Sequence, residues 1–127
     1  MRQLLDTHTF IWFITGNSQI NSRIRSQVEN NDNLLSIASV WEIAIKSSIG
    51  KLDLDISVEE LVREQIYGNN IELLDITTEH IGLVANLPLH HRDPFDRLII
   101  AQSIVEETPI IGTDKAFDLY QVQRLWW

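Results

Sequence analysis

The sequence predicts an α/β protein, a single domain in which a parallel sheet is covered by helices on both faces. Three observations carry this. Strand-like and helix-like segments alternate along the whole chain, the pattern that parallel sheets produce. The strand-like segments are short, continuous apolar runs, as expected of strands buried on both faces. The 127 residues contain no linker, repeat or low-complexity tract, so residues 1–127 form one domain of ordinary size. In such sheets ligands sit outside the carboxyl ends of the strands. The residues just after each strand are therefore the ones to inspect.

Arg2-Gln3-Leu4-Leu5 reads as the first strand, and an apolar helix follows from Thr7 to Thr15, ending near Gly16. Asn21 or Ser22 caps a second helix that runs to about Glu29, and Asn33 to Ile37 is a strand. Ser39 opens a helix that stops at Gly50, a residue suited to the left-handed position past a helix end. Ser57 and Glu60 have capping-box spacing for a helix ending near Gly68. Ile71 to Ile76 is a strand, and Thr77 or Thr78 starts a short helix that Pro88 closes. Asp93-Pro94 starts the next helix, with Asp as cap and Pro at the first helical position, and it continues to about Glu107. Pro109 to Gly112 is a strand, a helical turn follows Asp114, and Gln121 to Leu125 supplies a last edge strand.

Apolar residues make up 44% of the chain and charged residues 22%, the balance of a folded protein. The absence of cysteine excludes disulfides, thiolate metal sites and thiol nucleophiles, and fits a reducing compartment. No apolar stretch approaches the ~20 residues needed to cross a bilayer. The chain enters a strand-like run directly after Met1, so no secretory leader is expected. The expectation is a cytoplasmic protein with no membrane partner. A net charge of −8 weighs against tight unspecific binding of nucleic acid. It does not describe a local cleft, and carboxylates that hold a divalent cation turn a positive centre towards phosphate.

Single acids are ambiguous. Asp6 follows the first strand and serves equally as helix cap or ligand. Glu42 has capping-box spacing from Ser39 and stands one turn before Lys46. Its neighbours Val40, Trp41, Ile43, Ala44 and Ile45 are apolar, which predicts burial, and a buried carboxylate is costly without a cation or good hydrogen bonds. Asp93 reads as an N-cap, and Asp96 as a first-turn acid facing the helix dipole. Asp114 follows a strand and fits a cap or an Asx-turn, while Asp118, one turn on, is expected in solvent. Asp55 and Asp75 also lie in or after strand-like runs, so position alone is not diagnostic.

The combination is stronger. Asp6 and Asp114 end strands that a doubly wound order can make neighbours, and Glu42 and Asp96 lie in early helical turns on the same rim. Oxygen donors without His or Cys suit a hard cation, Mg²⁺ or Mn²⁺. His8, His80, His90 and His91 show no zinc spacing, and the scattered glycines form no phosphate loop.

At these positions the chain resembles the PIN-domain nucleases, specifically the VapC-type toxins of bacterial toxin–antitoxin pairs. The matching pieces are Leu4-Leu5-Asp6-Thr7-His8, Ser39-Val40-Trp41-Glu42-Ile43-Ala44-Ile45-Lys46, His90 to Gln102 with Asp93-Pro94-Phe95-Asp96-Arg97 at its centre, and Gly112-Thr113-Asp114. The third piece is the most specific, and together they span essentially the whole domain. The resemblance implies a five-stranded parallel sheet, and places metal-binding and catalytic acids at Asp6, Glu42, Asp96 and Asp114, with Thr113 in support. It further implies Mg²⁺ or Mn²⁺ dependence, endoribonuclease activity that inhibits translation, a homodimer and a small cognate antitoxin. Some relatives carry an acid closer to Asp114 than Asp118, which leaves the number of metal ions open.

The chemistry expected is phosphodiester hydrolysis by a metal-activated water. That route does not use the 2′-hydroxyl, so preference for RNA has to come from groove contacts. Arg92, Arg97, Lys46 and Lys115 flank the acids and are candidates for phosphate contact, each with a solvated surface charge as its plain reading. Trp12 and Trp41 read as core or partner-facing rather than base-stacking. Two other functions fit the pattern. A receiver-like signalling domain is also small, parallel and acidic at its strand ends, but needs an acidic pair after the first strand, where this chain has Asp6-Thr7. A non-catalytic PIN scaffold acting as a binding module is the other.

Overall fold

The computed structural model describes residues 1–127. Five strands form one parallel sheet: β1 (Arg2–Leu5), β2 (Asp32–Ser36), β3 (Glu72–Leu74), β4 (Ile110–Ile111) and β5 (Arg124–Leu125), in the order β3-β2-β1-β4-β5. The helices are α1 (Thr7–Thr15), α2 (Ser22–Glu29), α3 (Ile37–Ser48), α4 (Val58–Glu60), α5 (Thr78–Asn86) and α6 (Pro94–Val105). Helix α4 runs on through a π-helical stretch, Leu61–Ile66, into a 3₁₀ turn, Tyr67–Asn69, and a second 3₁₀ segment covers Lys115–Leu119. No helix is long and apolar enough to cross a membrane.

Successive strand residues alternate between two cores, as the pleat requires. Leu5, Leu35 and Ile111 pack on one face with Phe10, Ile24, Val28 and Ile43. Leu4, Leu34 and Ile110 pack on the other with Ile99, Ile100 and Phe117. The register sets β4 directly beside β1, with Leu4 opposite Ile110 and Leu5 opposite Ile111. Strands from the two ends of the chain thus finish side by side, and the residues after them, Asp6 and Gly112 to Asp114, share one rim. A receiver-type sheet has the order 2-1-3-4-5. The order here is different, which removes that alternative.

Helix α3 begins earlier than its sequence suggests. Ser36, the last residue of β2, is its N-cap and accepts from Ala38 N at 3.0 Å. Ser39 therefore lies inside the first turn and opens no capping box with Glu42. The chain passes from strand to helix without a loop, so one serine ends the first and caps the second.

Candidate metal centre

Asp6 caps α1, its Oδ1 accepting from Thr9 N at 2.7 Å. It is 4% exposed, and its other oxygen lies against Gly112. A Cβ at position 112 would stand 2.7 Å from Asp6 Oδ2. Glycine is what allows β4 to run on past β1 while Asp6 is present. Burial, outweighing the Thr9 hydrogen bonds and the attraction of His8, pushes the Asp6 carboxyl above its ordinary range, and Asp114 adds to the rise.

Glu42 is likewise 4% exposed, and it is well satisfied. Oε1 accepts from Thr7 Oγ1 at 2.9 Å, Thr7 in turn reaches Ser39 Oγ at 2.8 Å, and Oε2 pairs with Lys46 Nζ at 2.7 Å. The two opposite charges one turn apart on α3 thus meet as expected of an i,i+4 pair. Lys46 is occupied at the site and not free for a distant phosphate.

Asp93 caps α6 with Oδ1, accepting from Phe95 N at 2.8 Å and Asp96 N at 3.4 Å. That leaves Asp96, in the first turn, free to face the rim. Burial raises the Asp96 pKa to about 7, with repulsion from Asp93, Glu42 and Asp6 adding to it and His91 opposing it. Asp114 behaves differently. Partial burial works against its ionisation, but the Ala116 N–H, His91 and Arg124 outweigh this and hold its carboxyl below the usual range. Asp118 is not part of the group: Arg124 grips both its oxygens at 3.0 Å, and Arg124 also holds Gly112 O at 3.1 Å.

Of the remaining sequence candidates, Thr113 is exposed and stands outside this hydrogen-bonded network, where Thr7 and Ser39 support Glu42 instead. Arg97 is turned inward. Its guanidinium donates to the carbonyls of Val84, Leu87, Pro88 and His91 at 3.0 to 3.4 Å. Arg92 and Lys115 remain exposed beside the acids. Sequence reasoning missed His91, whose Nε2 lies 2.9 Å from Asp114 Oδ2 and 3.2 Å from Asp96 Oδ2. His91, Asp96 and Asp114 offer ligand atoms within 4.8 Å of one another.

Four carboxylates on one rim repel each other, and two of them are driven towards the protonated form. A divalent cation would relieve that repulsion, and the oxygen-rich donor set fits a hard one such as Mg²⁺ or Mn²⁺.

Comparison with known proteins agrees with this architecture. A model of the PIN domain matches residues 4–122. No curated relative matches the chain by sequence. Among solved structures, a chain of VapBC2 from Rickettsia felis, bound to a DNA fragment from its promoter, superposes with a TM-score of 0.72 at 14% identity, over 98% of each chain. A chain of FitAB bound to IR36 DNA gives 0.68 at 18%, over 98% of this chain and 94% of that one. A toxin–antitoxin complex from Klebsiella pneumoniae gives 0.62 at 11%, over 98% and 96%. At these identities the structural likeness speaks for the fold, and the family match over nearly the whole length identifies the lineage: the chain belongs to the PIN-domain family.

Proposed function

We propose that the protein is a metal-dependent endoribonuclease, the toxin of a toxin–antitoxin pair, acting in the cytoplasm to inhibit translation. One observation carries the reading: Asp96 and Asp114 converge at the carboxyl rim of the sheet, near enough to Asp6 and Glu42 for the charges to repel, with Asp6 and Asp96 held against their normal ionisation. Mg²⁺ or Mn²⁺, when bound, supplies the positive charge that acidifies a water and offsets charge on the phosphate oxygens. The chain supplies the rest. Asp6 and Glu42 are fixed by Thr9 N and by Thr7 with Lys46, so their oxygens need little reorganisation. Asp96 and Asp114 complete the donor set. Arg92 and Lys115 are exposed near the rim and are the cations available to an RNA backbone.

The partner side of the proposal rests on two supports. One solved neighbour is described as a toxin–antitoxin complex, and the VapBC2 and FitAB neighbours are bound to DNA fragments. In addition, Trp41 and Ile45 on α3 and Ile49 at its C-cap expose 60%, 38% and 59% of their surface at one-turn spacing. Trp41 is braced edge-on by Phe95 at 5.2 Å. A small antitoxin or a second copy of the chain is the partner such a stripe fits.

The test is cleavage of total cellular RNA by purified protein with Mg²⁺ or Mn²⁺, alongside a chelator arm and Asp6→Asn. Cleavage that needs the metal and vanishes in folded Asp6→Asn supports the reading. Cleavage that survives either treatment removes the metal centre. A folded wild type that cuts no RNA with either metal points instead to the non-catalytic scaffold.

A further inference from the structure

The segment between α5 and α6 carries His91 to the acids, and the surrounding fold holds it there. Tyr120 Oη accepts from the backbone N–H groups of His90 and His91 at 3.0 and 2.8 Å and donates to Pro88 O at 2.9 Å. Arg97 grips the same segment through the carbonyls of Leu87, Pro88 and His91, and ties it to α5 through that of Val84. Held this way, the His91 ring stacks on Phe117 at 6.1 Å and 29°. Its Nε2 points between Asp114 Oδ2 and Asp96 Oδ2.

Donor–acceptor logic fixes what that nitrogen carries. The backbone N–H of Asp93 donates to His91 Nδ1 at 3.2 Å. This requires a lone pair on Nδ1, so in the neutral ring the proton sits on Nε2. A metal-ligating histidine is arranged the other way round: its ligating nitrogen has the lone pair, and the opposite N–H is donated to an acceptor. His91 meets a donor where a ligand histidine meets an acceptor. Proximity to Asp96 and Asp114 therefore does not make it a ligand.

We infer that His91 is a gate at the metal centre: its Nε2–H bridges Asp96 and Asp114, fills the place between them that a divalent cation takes, and turns aside when the cation binds. The inference rests on the metal-centre reading above. An N–H aimed into the site presents its positive end to an incoming cation and occupies the same two oxygens. Ring and cation therefore compete. The bridge also eases repulsion between the carboxylates before the cation arrives, so one residue steadies the metal-free site and raises the concentration at which metal enters.

Binding of Mn²⁺ to the full chain, read from the loss of the free-ion EPR signal, tests this with wild type, His91→Ala and His91→Gln. The Gln amide N–H reaches about as far as Nε2–H and keeps the donor. Removing a hydrogen-bond donor worth about one ordinary bond predicts roughly fivefold tighter Mn²⁺ binding in His91→Ala. His91→Gln is expected to stay near wild type. Weaker or unchanged binding in His91→Ala overturns the gate, and weaker binding makes His91 a ligand or a positioning residue. If wild type and both variants all fail to bind Mn²⁺, the metal centre itself fails and takes the gate with it. The wild type gives a second, independent readout should His91→Ala not fold. Nitrogen-15 NMR of the neutral His91 ring is expected to show the Nε2–H tautomer without metal and a changed ring environment on adding Mg²⁺. An Nδ1–H tautomer, or a ring indifferent to bound Mg²⁺, overturns the proposal.

Discussion

Gly112 and Asp6 show how tightly single residues set the rim. The place a side chain at 112 would take is held by a carboxylate, with 2.7 Å between the absent Cβ and Asp6 Oδ2. Gly112→Ala forces Asp6 off its Thr9 cap or pushes β4 away from β1. Overpacking of this kind costs about 1–3 kcal/mol. Urea unfolding should show that loss, and metal-dependent cleavage should fall with it; a variant matching wild type in both would refute the close approach. Asp96 gives a pH prediction whose sign can be worked out. Its folded pKa is about 7, against about 3.9 in an unfolded chain. Between those values the folded state holds the extra proton, so the stability of chelator-treated protein falls as pH rises and levels off above 7. Asp96→Asn lacks this dependence. With Asp96 about a quarter exposed at 23%, wild type should lose on the order of 1–3 kcal/mol relative to Asp96→Asn between pH 5 and 8. Equal pH slopes for the two proteins would contradict the assigned cause.

At the scale of elements, what was legible in the sequence follows from how local the determining contacts are. Caps made by a residue on its own helix were readable: Asn21 for α2, Thr77 for α5 and Asp93 for α6 each accept from a backbone N–H within three residues. The start of α3 was not, because Ser36 and Ser39 offer the same hydroxyl and only tertiary packing assigns Ser39 to Thr7, 32 residues away. The Glu42–Lys46 pair was visible from its spacing. The role of His91 was not, since Asp114 is 23 residues distant and the link depends on how the α5–α6 segment folds back. The partners of Arg97 were equally out of reach, being carbonyls that no side-chain pattern reveals. That fork is testable. Arg97→Lys keeps the charge but loses the planar donor array, and should cost roughly 2 kcal/mol. Amide exchange in residues 89–92 should rise more than elsewhere. Unchanged exchange there would mean that Tyr120 alone secures the segment.

For the whole molecule, the strand order explains how acids scattered over the chain come to one rim. The crossover from β1 outward through β2 and β3, then back to β4 on the other side of β1, puts the first and fourth strands side by side. Helices α3 and α6 then begin on the same rim, bringing Glu42 and Asp96 to Asp6 and Asp114. A chain with a net charge of −8 gathers acids at a partly buried rim, where burial and their repulsion raise the Asp96 pKa. In this reading metal binding is also a stabilising event, since the cation joins the folded chain and not the unfolded one. Mn²⁺ at about a hundred times its dissociation constant should stabilise by roughly 2.7 kcal/mol, which for a domain of this size raises Tm by around 10 °C. The rise should be larger at pH 8 than at pH 5, because Asp96 must surrender its proton to bind metal at the lower pH. It should nearly disappear in Asp114→Asn. An equal rise in that variant would mean that the cation binds elsewhere on the acidic surface, and the rim would lose its claim to be the metal centre.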